Sequence, residues 1–573
     1  MLLQDLLFSF VFLVLSTSLA AASVLVDFQV AQPPLVPKNV KQCTIQILQR
    51  DFAFSFGLAE VVQFEPPTDC GPVGSWAAVT LNFTVTSNGT QFDRLGIFTF
   101  QNVEIWRTST PEPTLGGIIW TYVKDVTRYT PLFAKPGTFI LQLDNLIETG
   151  LNGVYSAVLH ATFYSSSPAH PPAPKADLIV PISSLLNNTG NDVSVPPTFS
   201  LNVTLPENTV KVFAELYASG NGNEEFWYFN TVNQFLPDLP GGFIGQGPFR
   251  EVRLQIDGRV AGVAYPYATI FTGGIIPTAW RPITSYGALD LPTYFIDVTP
   301  FVPLLTDGNP HNFSLDVTSA EPDHAIQQNW FLSAALQVFL DSSSKPTTGK
   351  MTLYSADPFS QTTTTGSVGN NDVNITVTAS RALRIESTIV SGSGQVNHVA
   401  FTQNLQYSNV QSYLNDAQIQ NVLQTATGSV LSTHNGVSVV VDQFSYPLAI
   451  NITNLDADGS NFTATFDHSY DRDVLPLPII PRSNIQERQT ATGFFSETPN
   501  GNFGNGTNNN VFSYIDVAGN TFFRTVNAAL NNITLDLQSG SLAPTTTPHL
   551  PFAPVQGPLV KPRLPNNRVI PGV

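Results

Sequence analysis

In the stretch REVRLQIDG, Arg250 to Gly258, apolar and polar positions alternate. Val252, Leu254 and Ile256 fall on one side, Arg253, Gln255 and Asp257 on the other. A period of two is that of a half-buried strand, and Asp257-Gly258 is a hairpin dipeptide that closes it. The same texture recurs along the chain. FDRLGIFTFQNVEIWR holds two apolar runs around Gln101-Asn102, which predicts a second hairpin. NWFLSAALQVFLD reads as an apolar strand, and GVSVVVDQF and NFTATF alternate again in the C-terminal half. In GNGNEEFWYFN, a Gly/Asn-rich turn ends on Glu224 and Glu225, and Phe226 to Phe229 reads as the start of a buried strand.

Breaks in this pattern divide the chain. A strand-rich unit over 23–164 ends at SSSPAHPPAPKAD, a linker over 165–177 dense in proline and small residues. A second unit of similar size and texture follows over 178–345. After SSSKPTTGK the composition shifts toward Ser, Thr, Asn and Val, giving a C-terminal β-rich region over 346–545, and 546–573 is a proline-rich tail.

Composition agrees with an all-β chain. Only 12% of the 573 residues are charged while 11% are aromatic, and 44 Pro and 39 Gly supply turns rather than helices. The 42 acidic and 25 basic residues leave a net charge of −17, with no compensating basic stripe, so nucleic-acid binding is excluded as a function class. The first 22 residues read as a signal peptide: an apolar core from Leu6 to Leu15, then Ala20-x-Ala22, although Asp5 is the only charge there, which leaves an uncleaved anchor as the alternative. No later segment is long and apolar enough to span a bilayer, so no stable membrane insertion is expected after cleavage. Ten N-x-[ST] sequons, at Asn82, Asn88, Asn187, Asn202, Asn312, Asn374, Asn451, Asn461, Asn505 and Asn532, suggest a secreted glycoprotein. In an oxidising compartment the only two cysteines, Cys43 and Cys70, read as one disulfide.

Several machineries are missing: there is no Walker-type glycine loop, no Gly-x-Ser-x-Gly elbow and no His-Glu-x-x-His helix. With eight scattered histidines a zinc cage is not expected, and no metal or organic cofactor is implied. What remains is carboxylates beside aromatics, with arginines nearby. Asp93-Arg94 precedes an apolar strand, which is the pattern of either a surface ion pair or a functional turn. Glu225 lies nearest the aromatic run. TGGIIPTAWRPITSYGALDLP clusters Gly, Pro and Trp around Arg281, and Trp280 could plug a core or stack on a sugar.

Long strings in this order are similar to the plant and fungal peptide N-glycosidase A family. They include DFAFSFG, FDRLGIFTFQNVEIWRTSTPEP, GIIWTYVKDVTRY, NEEFWYFN, GQGPFREVRLQIDGRVAG and IFTGGIIPTAWRPITSYGALDLPTYFIDVTPF, over about residues 30 to 341. Members often carry more cysteines; this chain has Thr108 and Ser109 after the EIWR stretch. The resemblance implies hydrolysis of the amide joining Asn to N-acetylglucosamine in an N-glycopeptide or N-glycoprotein. A related bacterial group implies two tandem jelly rolls with the substrate between them. On that likeness Asp93 is the principal catalytic carboxylate, kept ionised by Arg94. Glu225 is the second, Arg281 is an arginine of the long loop, and Asp144 is the nearest third acid. Trp120, Trp227 and Trp280 are the aromatic candidates for sugar contacts, and Glu224 is expected to be a solvated twin of Glu225. Two alternatives stay open at this point: a non-catalytic carbohydrate-binding or adhesion protein on the same scaffold, and a glycoside hydrolase.

Overall fold

A computed structural model describes residues 24–476, 482–499 and 501–544. The signal-peptide and proline-rich-tail expectations therefore lie outside the described residues. The protein is all-β, and among the described residues the helical elements are short turns between strands.

The first unit stacks two sheets. One orders its strands as Leu25–Asp27, Ile118–Asp125, Trp76–Ser87, Tyr155–Ser165 and Gln42–Phe52; the other as Glu60–Phe64, Gly137–Leu143, Leu95–Phe100 and Val103–Ser109. Their inner faces meet in an aromatic core, in which Phe83 of one sheet and Phe98 of the other pack edge-on at 5.0 Å. Leu95–Phe100 and Val103–Ser109 form the expected hairpin. Gln101 and Asn102 both take positive φ, 50° and 64°, the conformation a tight two-residue hairpin requires. Cys43 and Cys70 are disulfide-bonded, with Cα atoms 5.8 Å apart. The proline-rich segment after Ser165 does not swing free: Ala173 N donates to Trp76 O, and Ala176 is buried.

The second unit repeats the plan. Leu178–Pro181, Asn329–Leu340, Thr209–Asn221 and Tyr294–Asp297 form one sheet, with Val193–Val195 added on Asn329–Leu340; Phe199–Val203, His311–Thr318, Glu251–Ile256 and Arg259–Ala264 form the other. Val252, Leu254 and Ile256 are buried as the alternation requires. Arg253, on the opposite face, is buried too, because it makes a two-point ion pair with Asp316 and lies over the Phe359 ring. That strand is covered on both faces rather than half-buried.

Beyond it, residues from Thr348 to Ser539 make one eleven-stranded sheet, nearly every strand pairing with the next in sequence. Asp372–Val390 and Val396–Leu414, 19 residues each, alternate buried and open positions along their length. The buried face lies on the second unit, and the two share one hydrophobic core. The first unit has its own core, joined from the second by Leu289 and Ala335.

Buried ion pairs lock the first two units together. Arg107 donates twice to Glu104 at 2.7 Å and reaches across to Ser219 Oγ and Phe331 O. Arg128 holds Glu215 of the second unit at 2.7 Å, and Tyr129 donates to the same carboxylate. Pairs this buried have a narrow geometric optimum, so they hold the two sandwiches in one relative position.

Candidate active site

Between Arg259–Ala264 and Tyr294–Asp297 runs a long connection, residues 265–293, that is buried almost throughout although its one helical element is the short 3-10 turn Pro277–Trp280. It lies along the edge of the first unit. Ser109 N donates to Ala288 O at 2.7 Å, and Leu291 N to Arg107 O at 3.0 Å. Thr272 Oγ1 donates to Thr110 O at 2.5 Å. These bonds bring Gly273 against two loops of the first unit.

One loop carries Asp93 into Leu95–Phe100, and the other carries Glu112 out of Val103–Ser109. The two are tied to each other: Arg94 N donates to Thr110 Oγ1 at 2.9 Å, and Thr110 N to Arg94 O at 2.9 Å. The Arg94 guanidinium is directed to Gln91 Oε1 at 2.7 Å and to Asn145 Oδ1 at 3.3 Å. At Gly273 the two loops converge. A Cβ there would stand 2.4 Å from Glu112 Oε1 and 2.5 Å from Asp93 Oδ1, so only glycine leaves both carboxylates in place. Arg281 closes the group, donating through Nη2 to Glu112 O at 2.8 Å and standing 3.7 Å from Glu112 Oε2.

Asp27 lies behind this cluster. It pairs in parallel register with Trp120, and its neighbour Phe28 bridges to Ile283, with Phe28 N donating to Pro282 O at 2.9 Å. Asp27 is 1% exposed, and among the described residues neither of its oxygens has a hydrogen-bond partner; Trp120 Nε1 is likewise buried without one. Burial pushes the Asp27 carboxyl up to about 7, with the Arg281 charge pulling it partly back. Tyr155 packs edge-on against Trp120 at 6.0 Å and donates to Phe92 O at 2.8 Å, beside Asp93. Burial raises its hydroxyl pKa, so it stays protonated.

The expected residues divide between this cluster and other places. Asp93 and Arg281 are in it, and Arg94 stands at its rim. Asp144 is not part of it: it accepts from Gly57 N at 3.0 Å and from Gln142, and holds a neighbouring loop. The expectation of a strand after Glu225 is corrected. Gly222–Glu224 and Trp227–Phe229 are single 3-10 turns, closed by Glu225 N donating to Gly222 O and Asn230 N to Trp227 O, which take the backbone groups a strand would pair.

The expectation of a solvated Glu224 is also corrected. It is fully buried, takes Arg250 Nε and Nη2 at 2.5 and 2.7 Å, and accepts from Gln327 N and Trp330 Nε1, both at 2.7 Å. With both oxygens occupied it has no surface for a substrate. Glu225, one residue on, is half-buried, and the adjoining Phe226 ring comes within 3.4 Å of where a Gly274 Cβ would be. The tryptophans are core residues: Trp120 and Trp280 are 1% exposed and Trp227 4%. Trp280 donates to Gly274 O and packs on Phe466, which shapes the loop and offers no open ring face.

Glu112, Gly273 and Asp27 were not read from the sequence as site residues. The available signal was Pro111-Glu112-Pro113 at the exit of a strand, a carboxylate fixed between two prolines inside the matched string. Among the described residues, no three His, Cys, Asp or Glu side chains are grouped to hold a metal ion, and no helix is long and apolar enough to cross a membrane.

Two carboxylates meeting at one glycine, with a guanidinium on one of them, can hold and pass a proton while orienting a polar substrate. An all-β protein with that cluster between two sandwiches belongs, by its equipment, among the acid–base hydrolases. Comparison with known proteins makes the class specific. The chain belongs to the peptide N-acetyl-beta-D-glucosaminyl asparaginase amidase A family, whose model matches residues 33–357. A model of the PNGase_A C-terminal domain matches residues 374–448. Over 417 residues it is 36% identical to the peptide-N4-(N-acetyl-beta-glucosaminyl)asparagine amidase A of Prunus dulcis, covering 70% of this chain and 71% of that protein.

Proposed function

We propose that this chain hydrolyses the amide between an Asn side chain and N-acetylglucosamine in N-glycopeptides. Water adds to the carboxamide carbon, the C–N bond breaks, the peptide keeps a carboxylate in place of the amide, and the glycan leaves as its glycosylamine. The family membership supports this activity, and the observation that carries the site is the meeting of Asp93 and Glu112 at Gly273. A carboxamide is a poor electrophile, so the reaction needs an activated water and a group that stabilises charge on the carbonyl oxygen or leaving nitrogen. Asp93, half-buried at the edge of the first unit, orients and deprotonates the water. Glu112 passes the proton toward the leaving nitrogen, and Arg281 balances the negative charge. Glu225, from the second unit and next to the Phe226 ring at Gly274, is the acid on the far side of the cleft.

In this reading the two sandwiches are jelly rolls, the boundaries fall near 165–177 and 345, and the substrate enters between the units. Secretion belongs to the same proposal. The disulfide suits an oxidising compartment, and all ten sequon asparagines are at least partly exposed.

The test is a defined glycopeptide followed by mass analysis. An amidase converts Asn to Asp, a glycoside hydrolase leaves a sugar on Asn, and a binding protein changes nothing. Asp93→Asn and Glu112→Gln should each lower the rate by about 10² to 10⁴ with folding retained. Near-parental conversion by either folded variant would remove that residue from the mechanism.

A further inference from the structure

The loop that carries Gly273 and Arg281 has almost no regular structure of its own, so its backbone groups depend on outside partners. Beside the first-unit contacts given above, the eleven-stranded sheet supplies several of them. Strands Ser483–Ser496 and Phe503–Asp516 pair with Gly493 opposite Gly506. A Cβ on Gly506 would lie 2.4 Å from Thr278 O and 2.7 Å from Ala279 N, and one on Gly493 would lie 2.8 Å from Ile276 Cγ2. The turn Pro277–Trp280 therefore rests directly on a bare patch of sheet backbone.

Two buried amides on the same face complete the attachment. Asn508 Nδ2 donates to Ala279 O at 2.8 Å and to Ile283 O at 3.1 Å, one bond on each side of Arg281. Gln489 Nε2 donates to Thr284 O at 3.0 Å while its Oε1 accepts from Tyr286 N at 2.9 Å. Gln489 also donates to Asn508 Oδ1 at 3.0 Å, so the two amides orient each other. Phe466 of the sheet backs the Trp280 ring at 4.9 Å.

We propose that the C-terminal sheet is the seat of the active-site loop, with Gly506, Asn508 and Gln489 as positioning residues that act on the reaction through Arg281. The sheet clamps other second-unit backbone with amides as well, at Val263 and Tyr228, but among the described residues only this turn rests on two facing glycines. The proposal rests on the Asp93–Glu112–Arg281 cluster being the reaction centre. None of the three residues touches substrate in this reading. Their effect is on where the guanidinium stands, and displacement of a catalytic group by about 1 Å can cost 10²-fold in rate.

The experiment uses the full chain and three variants. Gly506→Ala pushes a methyl into the loop backbone, and Asn508→Ala removes the clamp without adding an atom. Thr507→Ser, between them, keeps the N-x-[ST] pattern at Asn505 and trims one methyl from an exposed side chain whose hydroxyl bonds to Thr492. With glycopeptide as substrate, kcat is expected to fall about 10²-fold for Gly506→Ala and about 10-fold for Asn508→Ala. Thr507→Ser should match the parent. The kcat losses should appear well below each variant's Tm and with smaller changes in KM. Near-UV circular dichroism should shift in the first two variants through Trp280, and the shift should vanish in a Trp280→Phe background.

Parental kcat in both Gly506→Ala and Asn508→Ala overturns the proposal, as does a lowered Tm with unchanged kcat, which is what a purely structural sheet would give. If Gly506→Ala does not fold, Asn508→Ala decides. A parent without amidase activity would refute the functional reading, while the Trp280 signal would still report whether the sheet seats the loop.

Discussion

Replacing Glu224 by Gln is the substitution for which sequence and structure give opposite forecasts. As a solvated twin of Glu225 it would matter little. In the fold its Oε1 receives Arg250 Nη2, Gln327 N and, at 3.4 Å, Asn230 Nδ2, while Oε2 receives Arg250 Nε and Trp330 Nε1. Glutamine has the same shape but must turn an NH2 toward one of these sets. The less costly orientation puts it at the Oε2 position, facing two N–H donors and leaving Trp330 Nε1 without an acceptor. The Arg250 guanidinium keeps three backbone carbonyls, of Gln246, Gly247 and Phe249, but loses its counter-charge. Removing one partner of a buried ion pair costs about 3 to 5 kcal/mol, and an orphaned donor adds to that. At about 2 °C per kcal/mol for a unit of this size, Tm should fall by roughly 6 to 10 °C. The assay is thermal unfolding of the full chain, with Glu225→Gln as the control. Glu225 is half-buried, and its neutralisation should change stability by less than about 1 kcal/mol. A Glu224→Gln protein that melts within about 1 °C of the parent would refute the reasoning, since no buried charge would then have been uncovered.

Two further outcomes follow from burial. Asp27, raised in the folded state to about 7 from 3.8, keeps its proton there while the unfolded chain has released it, so stability should fall as pH rises from about 4 to 7. The loss amounts to about 4 kcal/mol for that interval. Asp27→Asn should therefore match the parent near pH 4 and gain Tm over it toward pH 8, and parallel Tm-against-pH curves would contradict this. Truncation after residue 345 uncovers the half of the shared core that the eleven-stranded sheet covers. That fragment should aggregate or bind a hydrophobic dye, and a monodisperse, cooperatively melting fragment would show that the second unit folds alone.

What the sequence determined by itself is local and repetitive. Period-two alternation and two-residue turns such as Gln101-Asn102 and Asp257-Gly258 depend on neighbouring residues only, so the all-β class and those hairpins are legible without coordinates. The Asp93 turn and the long loop around Arg281 stand out for the same reason, as irregular stretches in an otherwise regular pattern. Which carboxylate faces what is not local. Glu224 and Glu225 are adjacent and chemically alike, yet donors from residues 250, 327 and 330 converge on the first alone. Glu112 is brought toward Asp93 by the hydrogen bonds between the Arg94 and Thr110 loops, and a glycine from the second unit sits beside both. Asp27 looks like an ordinary strand-end acid until a parallel pairing with Trp120 buries it. The electrostatics of a carboxyl group depend on its donors, its neighbouring charges and its exclusion from water. In this protein residues far along the chain supply all three, so the tertiary structure alone decides them.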